Sequence, residues 1–285
     1  MAQLIQMRQR IKAIETIKKI THAMRLISMS THSRVRGQIP ILKLYTQEIS
    51  ELFHNIRTTV PQWTNSVMYP EQSPDANPLL ILISSQKGLC GTFNTNLFKE
   101  FEKTISNESL KKINVISVGK KAVDFLRKKK PKKIIAEFPD LTVRNFTDIS
   151  QHIIDEILQT KTIYSSVKIM SNELKTFFLQ LPRMVSLIPL ASKTETAVEN
   201  KQSEEDYTWY QDKKELLDQL APQYVSATIN ALLLESLLAE QAARFISMDT
   251  ANRNAKTLLE ETRLKYNKLR QWNITKELTE LATNY

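Results

Sequence analysis

The apolar residues of the N-terminal segment recur at helical spacing, mostly three or four positions apart. The series comprises Leu4, Met7, Ile11, Ile14, Ile17, Ile20, Met24 and Ile27. A narrow stripe with these steps is typical of a helix that packs against a partner helix. It predicts a helix over residues 1–56, roughly 80 Å long at 1.5 Å per residue. A kink is expected at Pro40, because proline removes one helical hydrogen bond.

The C-terminal segment carries a second stripe of the same kind, in a region without proline or glycine. Its members are Leu234, Leu238, Ala242, Phe245, Met248, Ala255, Leu259, Tyr266 and Leu269. The pattern predicts a helix over residues 223–285, roughly 90 Å long. Each helix needs a partner to cover its apolar stripe, because an isolated helix cannot bury it. The two ends are therefore expected to form an antiparallel coiled coil.

Short apolar runs alternate with amphipathic segments in the middle of the chain. The predicted strands are Leu79–Ser84, Ile113–Val118, Ile134–Phe138, Ser166–Met170 and Phe177–Leu181. This alternation predicts a Rossmann-like α/β domain over residues 79–191, with a mostly parallel sheet and an antiparallel edge. A proline-containing linker is expected at 57–78, and a polar connection at 192–222.

The formal net charge of +10 indicates an acidic partner, which can be nucleic acid, an anionic membrane surface or an acidic protein. Basic residues concentrate in 1–45 and again from Lys111 to Lys133. One hypothesis is therefore a basic coiled-coil nucleic-acid-binding protein. No aromatic residues interleave with the lysines of 127–133, which favours a membrane-proximal or acidic-protein contact over DNA.

Candidate chemistry is sparse. The loop of residues 86–94 follows a strand and precedes a helix, where phosphate loops occur, but it has neither a G-x-G-x-x-G nor a Walker A pattern. No cofactor is predicted. Cys90, the only cysteine, keeps open an α/β enzyme with a thiol nucleophile, although no motif links it to any of the four histidines. One cysteine and dispersed histidines give no zinc spacing, so no metal is predicted.

Several segments together carry a family resemblance. They are Lys19-Ile20-Thr21-His22-Ala23-Met24, the loop from Ser84 to Phe98, Glu240-Gln241-Ala242-Ala243-Arg244, and Tyr266-Asn267-Lys268-Leu269-Arg270-Gln271. Their sequence and order resemble those of ATP synthase gamma subunits, from the first helix to the last. The chain departs from the family pattern at Gln86-Lys87, Thr92-Phe93 and Trp272-Asn273.

The resemblance implies a non-catalytic rotor shaft that transmits torque between ion flow in a membrane ring and the nucleotide sites. The implied partners are the catalytic (beta) and non-catalytic (alpha) subunits, the epsilon subunit and the membrane c-ring. The implied location is the cytoplasmic face of a bacterial inner membrane, as a peripheral protein. No apolar segment approaches the roughly 20 residues that a spanning helix needs.

The resemblance also implies contact residues. Six positions match gamma residues that contact or lie near the catalytic subunit: Met24, Lys87, Cys90, Arg270, Gln271 and Thr275. Of these, Arg270, Gln271 and Thr275 match a group that meets the subunit's catch region. Lys87 and Cys90 match a loop near its acidic lever segment, and Met24 matches a shaft position that faces the same segment.

Overall fold

The computed structural model describes residues 2–60, 62–65, 68–70, 77–158, 164–189 and 212–283. Its helices are α1 (Ala2–Thr59), α2 (Phe93–Thr104), α3 (Asn107–Leu110), α4 (Lys120–Lys129), α5 (Phe146–Leu158) and α6 (Lys213–Thr283). Its strands are β1 (Leu79–Ile83), β2 (Asn114–Val118), β3 (Lys133–Phe138), β4 (Val167–Thr176) and β5 (Leu179–Ile188). The predicted fold class, two long terminal helices with a central α/β domain, is confirmed. Most of the predicted connection at 192–222, and part of the linker at 57–78, lie outside the described residues.

The five strands form one sheet in the order β3-β2-β1-β4-β5. The first four are parallel, and β5 is an antiparallel edge strand on β4. Strand β1 is buried on both faces: Leu79, Ile81 and Ile83 pack towards α5, α6 and the end of α1, whereas Leu80 and Leu82 pack towards α2 and α4. Burial on both faces explains why β1 is a continuous aliphatic run rather than an alternating one.

Helices α1 and α6 run antiparallel. With 58 and 71 residues, they are about 87 and 106 Å long at 1.5 Å per residue. Arg8 donates to the hydroxyl of Tyr266 at 3.1 Å near one end of the pair, and Thr46 donates to the carbonyl of Ala227 at 3.4 Å near the other. These pairs fix the register, which places the start of α1 beside Trp272 of α6.

One continuous series of buried or half-buried positions along α1 alternates steps of three and four. Its members are 4, 7, 11, 14, 18, 21, 25, 28, 32, 35, 39, 42, 46, 49, 53 and 56, and further half-buried positions, such as 15, 24 and 31, lie beside it. The predicted stripe is therefore right as far as Ile14 and wrong beyond it. The face towards α6 continues through Lys18 and Thr21, while Ile17 and Ile20 are each 52% exposed.

Two prolines lie inside helices without ending them. Pro40 lies within α1, and Pro222 lies within α6. Helix α6 begins at Lys213, ten residues before the predicted boundary at 223. Leu217 and Val225, both fully buried, flank Pro222. Their packing offsets the roughly 3 kcal/mol that a proline costs in a helix interior.

The paired helices project beyond the α/β domain. Gly91 of the β1–α2 loop approaches α6 at Ser247, whose Cβ lies 3.8 Å from the position that a Cβ on Gly91 would take. Helix α6 continues from there to Thr283, which is roughly 54 Å. We call this projecting part of α1 and α6 the shaft.

Candidate functional site

The β1–α2 loop begins at the carboxyl end of the central strand, and contacts with the start of α4 fix its first residue, Ser84. The Ser84 hydroxyl, which is buried, accepts a 2.6 Å hydrogen bond from the backbone nitrogen of Ala122 at the start of α4. Gly119 passes so close that a Cβ there would lie 2.3 Å from the Ser84 carbonyl oxygen, and its φ is +88°. Only glycine fits this close approach with a positive φ.

A buried ion pair on α6 fixes the top of the loop. Glu240 and Arg244, one helical turn apart, are 3% and 6% exposed and form a salt bridge. Arg244 also donates to the carbonyl oxygens of Lys87, at 3.1 Å, and Gly88, at 3.4 Å. Burial raises the pKa of the Glu240 carboxyl, and the Arg244 charge opposes that rise. We call this arrangement the Arg244 clamp, since it ties the β1–α2 loop of the α/β domain to α6.

Cys90 lies beneath this loop rather than on its surface. Its side chain is 2% exposed and packs with Phe93, Ala239 and Ala243. Burial raises the pKa of the thiol, and a hydrogen bond to Ser85 only partly opposes this. A reactive cysteine needs a lowered pKa and access to solvent. The structure therefore gives Cys90 a packing role and removes support for the thiol-enzyme hypothesis.

A cleft of about 550 Å³ opens between α1, α6 and the loops at 86–88 and 141–144. Met24 and Lys87, predicted separately as contact residues, both line it. Arg34 and Arg144 add two further cationic side chains, and Ile27 adds an apolar one. The lining suits an acidic segment that also carries apolar side chains.

The other three predicted residues lie elsewhere. Arg270, Gln271 and Thr275 are exposed near the end of the shaft, and Thr275 donates to the carbonyl of Gln271 at 3.0 Å. Arg270 follows Arg244 by 26 residues of continuous helix, about 39 Å. The predicted residues thus form two groups, one at the cleft and one at the shaft end, with Cys90 buried beneath the first.

The shaft end also exposes apolar side chains that belong to no intramolecular core. Beyond Trp272 helix α6 has no α1 alongside it. There Ile274, Leu278 and Leu281, spaced by four and three residues, are 49%, 62% and 62% exposed. Sequence reasoning found Trp272 but missed this face, although its heptad spacing was a usable signal.

A second apolar stripe runs along the outside of α1. Ile17, Ile20 and Ile27 are 52%, 52% and 64% exposed, and Met24 on the same stripe lines the cleft. The sequence prediction assigned these residues to the seam with α6. They instead form an outward apolar face beside the seam.

Similarity to known proteins decides the family. A family model described as ATP synthase matches residues 3–284. The ATP synthase gamma chain of Christiangramia forsetii is 31% identical over 99% of this chain and 97% of its own length. The chain belongs to the ATP synthase gamma-chain family. The gamma chain of Pelagibacter ubique gives the same identity, over 99% of this chain and 98% of its own.

Solved structures of ATP synthases share the fold. The rotor of the Euglena gracilis mitochondrial ATP synthase matches with a TM-score of 0.66 and 15% identity, covering 96% of this chain and 99% of its own. The central stalk and c-ring structure from Tetrahymena thermophila matches with a TM-score of 0.57 and 19% identity, covering 81% and 99%. The gamma-chain architecture is therefore retained at low sequence identity.

Two absences hold within the described part of this gamma chain. No helix there is both long and apolar enough to cross a membrane. No three His, Cys, Asp or Glu side chains come together there as potential metal ligands.

Proposed function

We propose that this gamma chain is the rotor shaft of a membrane-associated ATP synthase and carries torque between ion flow in the membrane ring and the nucleotide sites. The observation that carries the proposal is the projecting two-helix shaft, whose surface still exposes large apolar side chains after α1 and α6 have paired. Ile17, Ile27 and Leu278 are each more than half exposed. A long projection with such a surface indicates a surrounding sleeve of protein.

The chemistry of that surface suits rotation. Apolar contact is non-directional and depends mainly on the area removed from water. A shaft end lined by Ile274, Leu278 and Leu281 can therefore turn against an apolar sleeve without breaking directional hydrogen bonds at each angle. The directional groups, Arg270 and Gln271, lie in the turn of α6 just before this face.

The cleft gives the shaft its asymmetry. Lys87, Arg34 and Arg144 lie on the one side of the molecule where the α/β domain meets α1 and α6. An acidic segment of a catalytic subunit would meet this side once per revolution. Differential binding of that segment would couple shaft angle to nucleotide affinity, because coupling between sites is a difference in binding free energy. We assign Met24 and Lys87 to this contact, with Cys90 supporting the loop from beneath.

The proposed partners are the alpha and beta subunits around the shaft, and the epsilon subunit and c-ring at the opposite end. The solved relatives come from a rotor, from an assembly of OSCP, F1 and c-ring, and from a central stalk with c-ring. A non-catalytic role is supported by the engagement of Glu240, Arg244 and Cys90 in holding the loop. Bacterial gamma chains among the relatives support a peripheral position on the cytoplasmic face of the bacterial membrane.

Reconstitution with alpha and beta subunits tests the proposal. The isolated chain is expected to show no ATPase activity, and the assembled complex is expected to hydrolyse ATP while turning the chain. Arg270→Ala with Gln271→Ala should lower coupled ATP synthesis without unfolding the chain. Gln9→Ala with Arg10→Ala removes the same side-chain types from the exposed face of α1 and is the matched control.

Either of two results would overturn the proposal. One is ATP turnover by the pure chain, and the other is a failure to assemble in stoichiometric amount with alpha and beta subunits. If the Arg270 and Gln271 variant makes ATP at the same rate as the control variant, these two residues lose their assigned role while the shaft proposal stands.

A further inference from the structure

The amino and carboxyl ends of the parallel strands, here called the amino and carboxyl edges of the sheet, face opposite ends of the molecule. At the carboxyl edge, Lys87 and Gly88 contact Arg244, on the side from which the shaft projects. Strand β4 runs from Val167 at the amino edge to Leu174, which packs with Leu234 and Leu238 on the part of α6 that leads towards Arg244. Whatever lies at the amino edge therefore faces away from the shaft.

A dense group of lysines lies at this amino edge. Lys111 and Lys112 lie in the turn before β2, Lys128 lies in the last turn of α4, Lys130 is the C-cap of α4, and Lys133 begins β3. All five side chains are exposed. We call these five residues the basic end. None of them forms an ion pair with any other residue that the structure describes.

Backbone contacts keep the basic end together. Lys133 pairs with Asn114 in the sheet register, which places β3 beside the start of β2. The backbone nitrogen of Lys132 donates to the carbonyl of Leu110 at 3.2 Å, joining the two lysine-bearing turns. The lysines of two separate loops thus form one surface rather than two isolated runs.

One lysine occupies a position that is unfavourable for its backbone. Lys130 caps α4 with φ +51° and ψ 66°, in the left-handed region. Glycine or asparagine is the usual residue there. Interaction with the negative end of the α4 dipole accounts for Lys128 and Lys130. It does not account for Lys111, Lys112 and Lys133, which lie outside that helix.

The basic end lacks the features of a protein or nucleic-acid contact. Among the described residues from 91 to 176, no large hydrophobic side chain is exposed, whereas protein interfaces are centred on buried aromatic or apolar anchors. The aromatic rings of Phe98 on α2 and Phe125 on α4 stack on each other at 4.2 Å and are not free for bases. Flexible lysine side chains without an anchor suit a diffuse array of anionic groups.

We infer that the basic end rests on the anionic phospholipid headgroups of the membrane that carries the ion-conducting ring. This inference depends on the proposed function, since that function orients the end opposite the shaft towards the membrane. Each lysine near an anionic surface contributes about 1 kcal/mol, which is about a five-fold change in partition coefficient. Five lysines would give the rotor base a salt-sensitive, sequence-independent attraction to the headgroup layer.

Vesicle sedimentation of the full chain tests the inference. The chain is mixed with vesicles of phosphatidylcholine alone, or with 30% phosphatidylglycerol, at increasing salt. Binding is expected only to the anionic vesicles and should weaken as salt rises. The quadruple variant Lys111→Gln, Lys112→Gln, Lys128→Gln and Lys133→Gln should bind at least about 30-fold more weakly.

A second quadruple variant provides the matched control. Arg10→Gln, Lys12→Gln, Lys19→Gln and Lys265→Gln remove the same charge from exposed positions on the shaft. This variant should retain binding within about three-fold of the original chain, because those residues face away from the bilayer. Equal loss in both variants would show attraction by net charge alone and would overturn the inference. So would equal binding to neutral and anionic vesicles, or none to either.

Two further measurements separate the remaining outcomes. If the basic-end variant loses affinity for a duplex DNA probe but keeps vesicle binding, the surface is a nucleic-acid site and the lipid inference is wrong. ATPase activity of the complex with alpha and beta subunits is measured without vesicles, and the basic-end variant should retain it. Failed vesicle binding with intact assembly would remove the lipid inference alone, whereas failed assembly of the original chain would remove the proposed function.

Discussion

Arg25 of α1 donates a 2.8 Å hydrogen bond to the carboxylate of Asp249 on α6, across the seam between the two long helices. The pair lies in a stretch of the seam where Thr21 and Ser28 take the places that apolar side chains occupy elsewhere. Asp249 also accepts from Arg253 at 3.0 Å. The two helices are thus held by charge where they are not held by apolar packing.

A double-mutant cycle on Arg25 and Asp249 should reveal this coupling. Each single change to leucine is expected to lower the free energy of unfolding by about 1–2 kcal/mol. Asp249→Leu leaves the half-buried Arg25 without its carboxylate, and Arg25→Leu leaves Asp249 with Arg253 as its remaining ion-pair partner. The double change should cost less than the sum of the two, with a coupling energy near 1 kcal/mol. Urea unfolding of the full chain measures all three, and strict additivity would contradict the assigned contact.

Mutations in the Arg244 clamp should lower the free energy of unfolding more than those at Arg25 and Asp249. Arg244→Leu leaves Glu240 buried without its partner and is expected to destabilise the chain by about 3–5 kcal/mol. The paired change Glu240→Leu with Arg244→Leu removes both charges and should be less damaging than Arg244→Leu alone. Urea unfolding gives the stabilities, and the rate of tryptic cleavage at Lys87 reports how firmly the loop is held. Unchanged cleavage in Arg244→Leu would show that the clamp does not fix the loop.

Two glycines allow a matched test of backbone requirements. Gly119→Ala places a methyl group 2.3 Å from the Ser84 carbonyl oxygen at a φ of +88°, and is expected to cost at least about 3 kcal/mol. Gly37 lies inside α1 with nothing within 4 Å of its added Cβ. Gly37→Ala should therefore stabilise the chain by about 0.5–1 kcal/mol. Similar thermal midpoints for the two variants would contradict this contrast.

Acidification should weaken the seam at His32. Its side chain is 4% exposed and meets the ring of Phe177 at 5.0 Å. Burial lowers the pKa of His32 below 6.5, and the nearby charge of Arg36 lowers it further. The unfolded chain then takes up a proton at a higher pH than the folded chain, so stability falls as pH drops through 6.5 towards the folded pKa.

Replacing His32 isolates this contribution. Urea unfolding between pH 7.5 and 5 should show a smaller loss of stability for His32→Phe than for the original chain. The control is His22→Phe, which makes the same replacement at an exposed position of the same helix and shows the effect of the substitution itself. Parallel curves for the original chain and His32→Phe would contradict a role for this histidine.

Much of the α/β domain was predictable because its signals are local. Strands β1 and β2 start and end within one residue of the predicted boundaries, since buried runs between polar turns leave little choice. Strand β5 is longer than predicted and contains Pro182, which an edge strand tolerates because one row of its backbone groups is unpaired. Helix α3 was missed, since four residues carry no periodicity.

The seam and the cleft were less predictable because they depend on contacts distant in sequence. Helix α1 carries two parallel stripes, and spacing alone does not show that the one through Thr21 faces α6 while the one through Ile20 faces outward. Glu240 and Arg244 could be recognised as part of a family signature, but only the fold shows that they bind the carbonyls of Lys87 and Gly88. The assigned partner contacts stay predictions.

The strict three-and-four repeat along α1 also has a mechanical consequence. A repeat of 3.5 residues keeps facing the same partner only if the two helices coil around each other with a left hand. Such a pair of helices does not respond equally to torque in the two directions. Torque in one direction winds the two helices more tightly around each other, and torque in the opposite direction unwinds and separates them. The torsional stiffness of the chain would therefore be greater in one direction of rotation than in the other. In the weaker direction, the two helices would separate first at the polar stretch around Arg25.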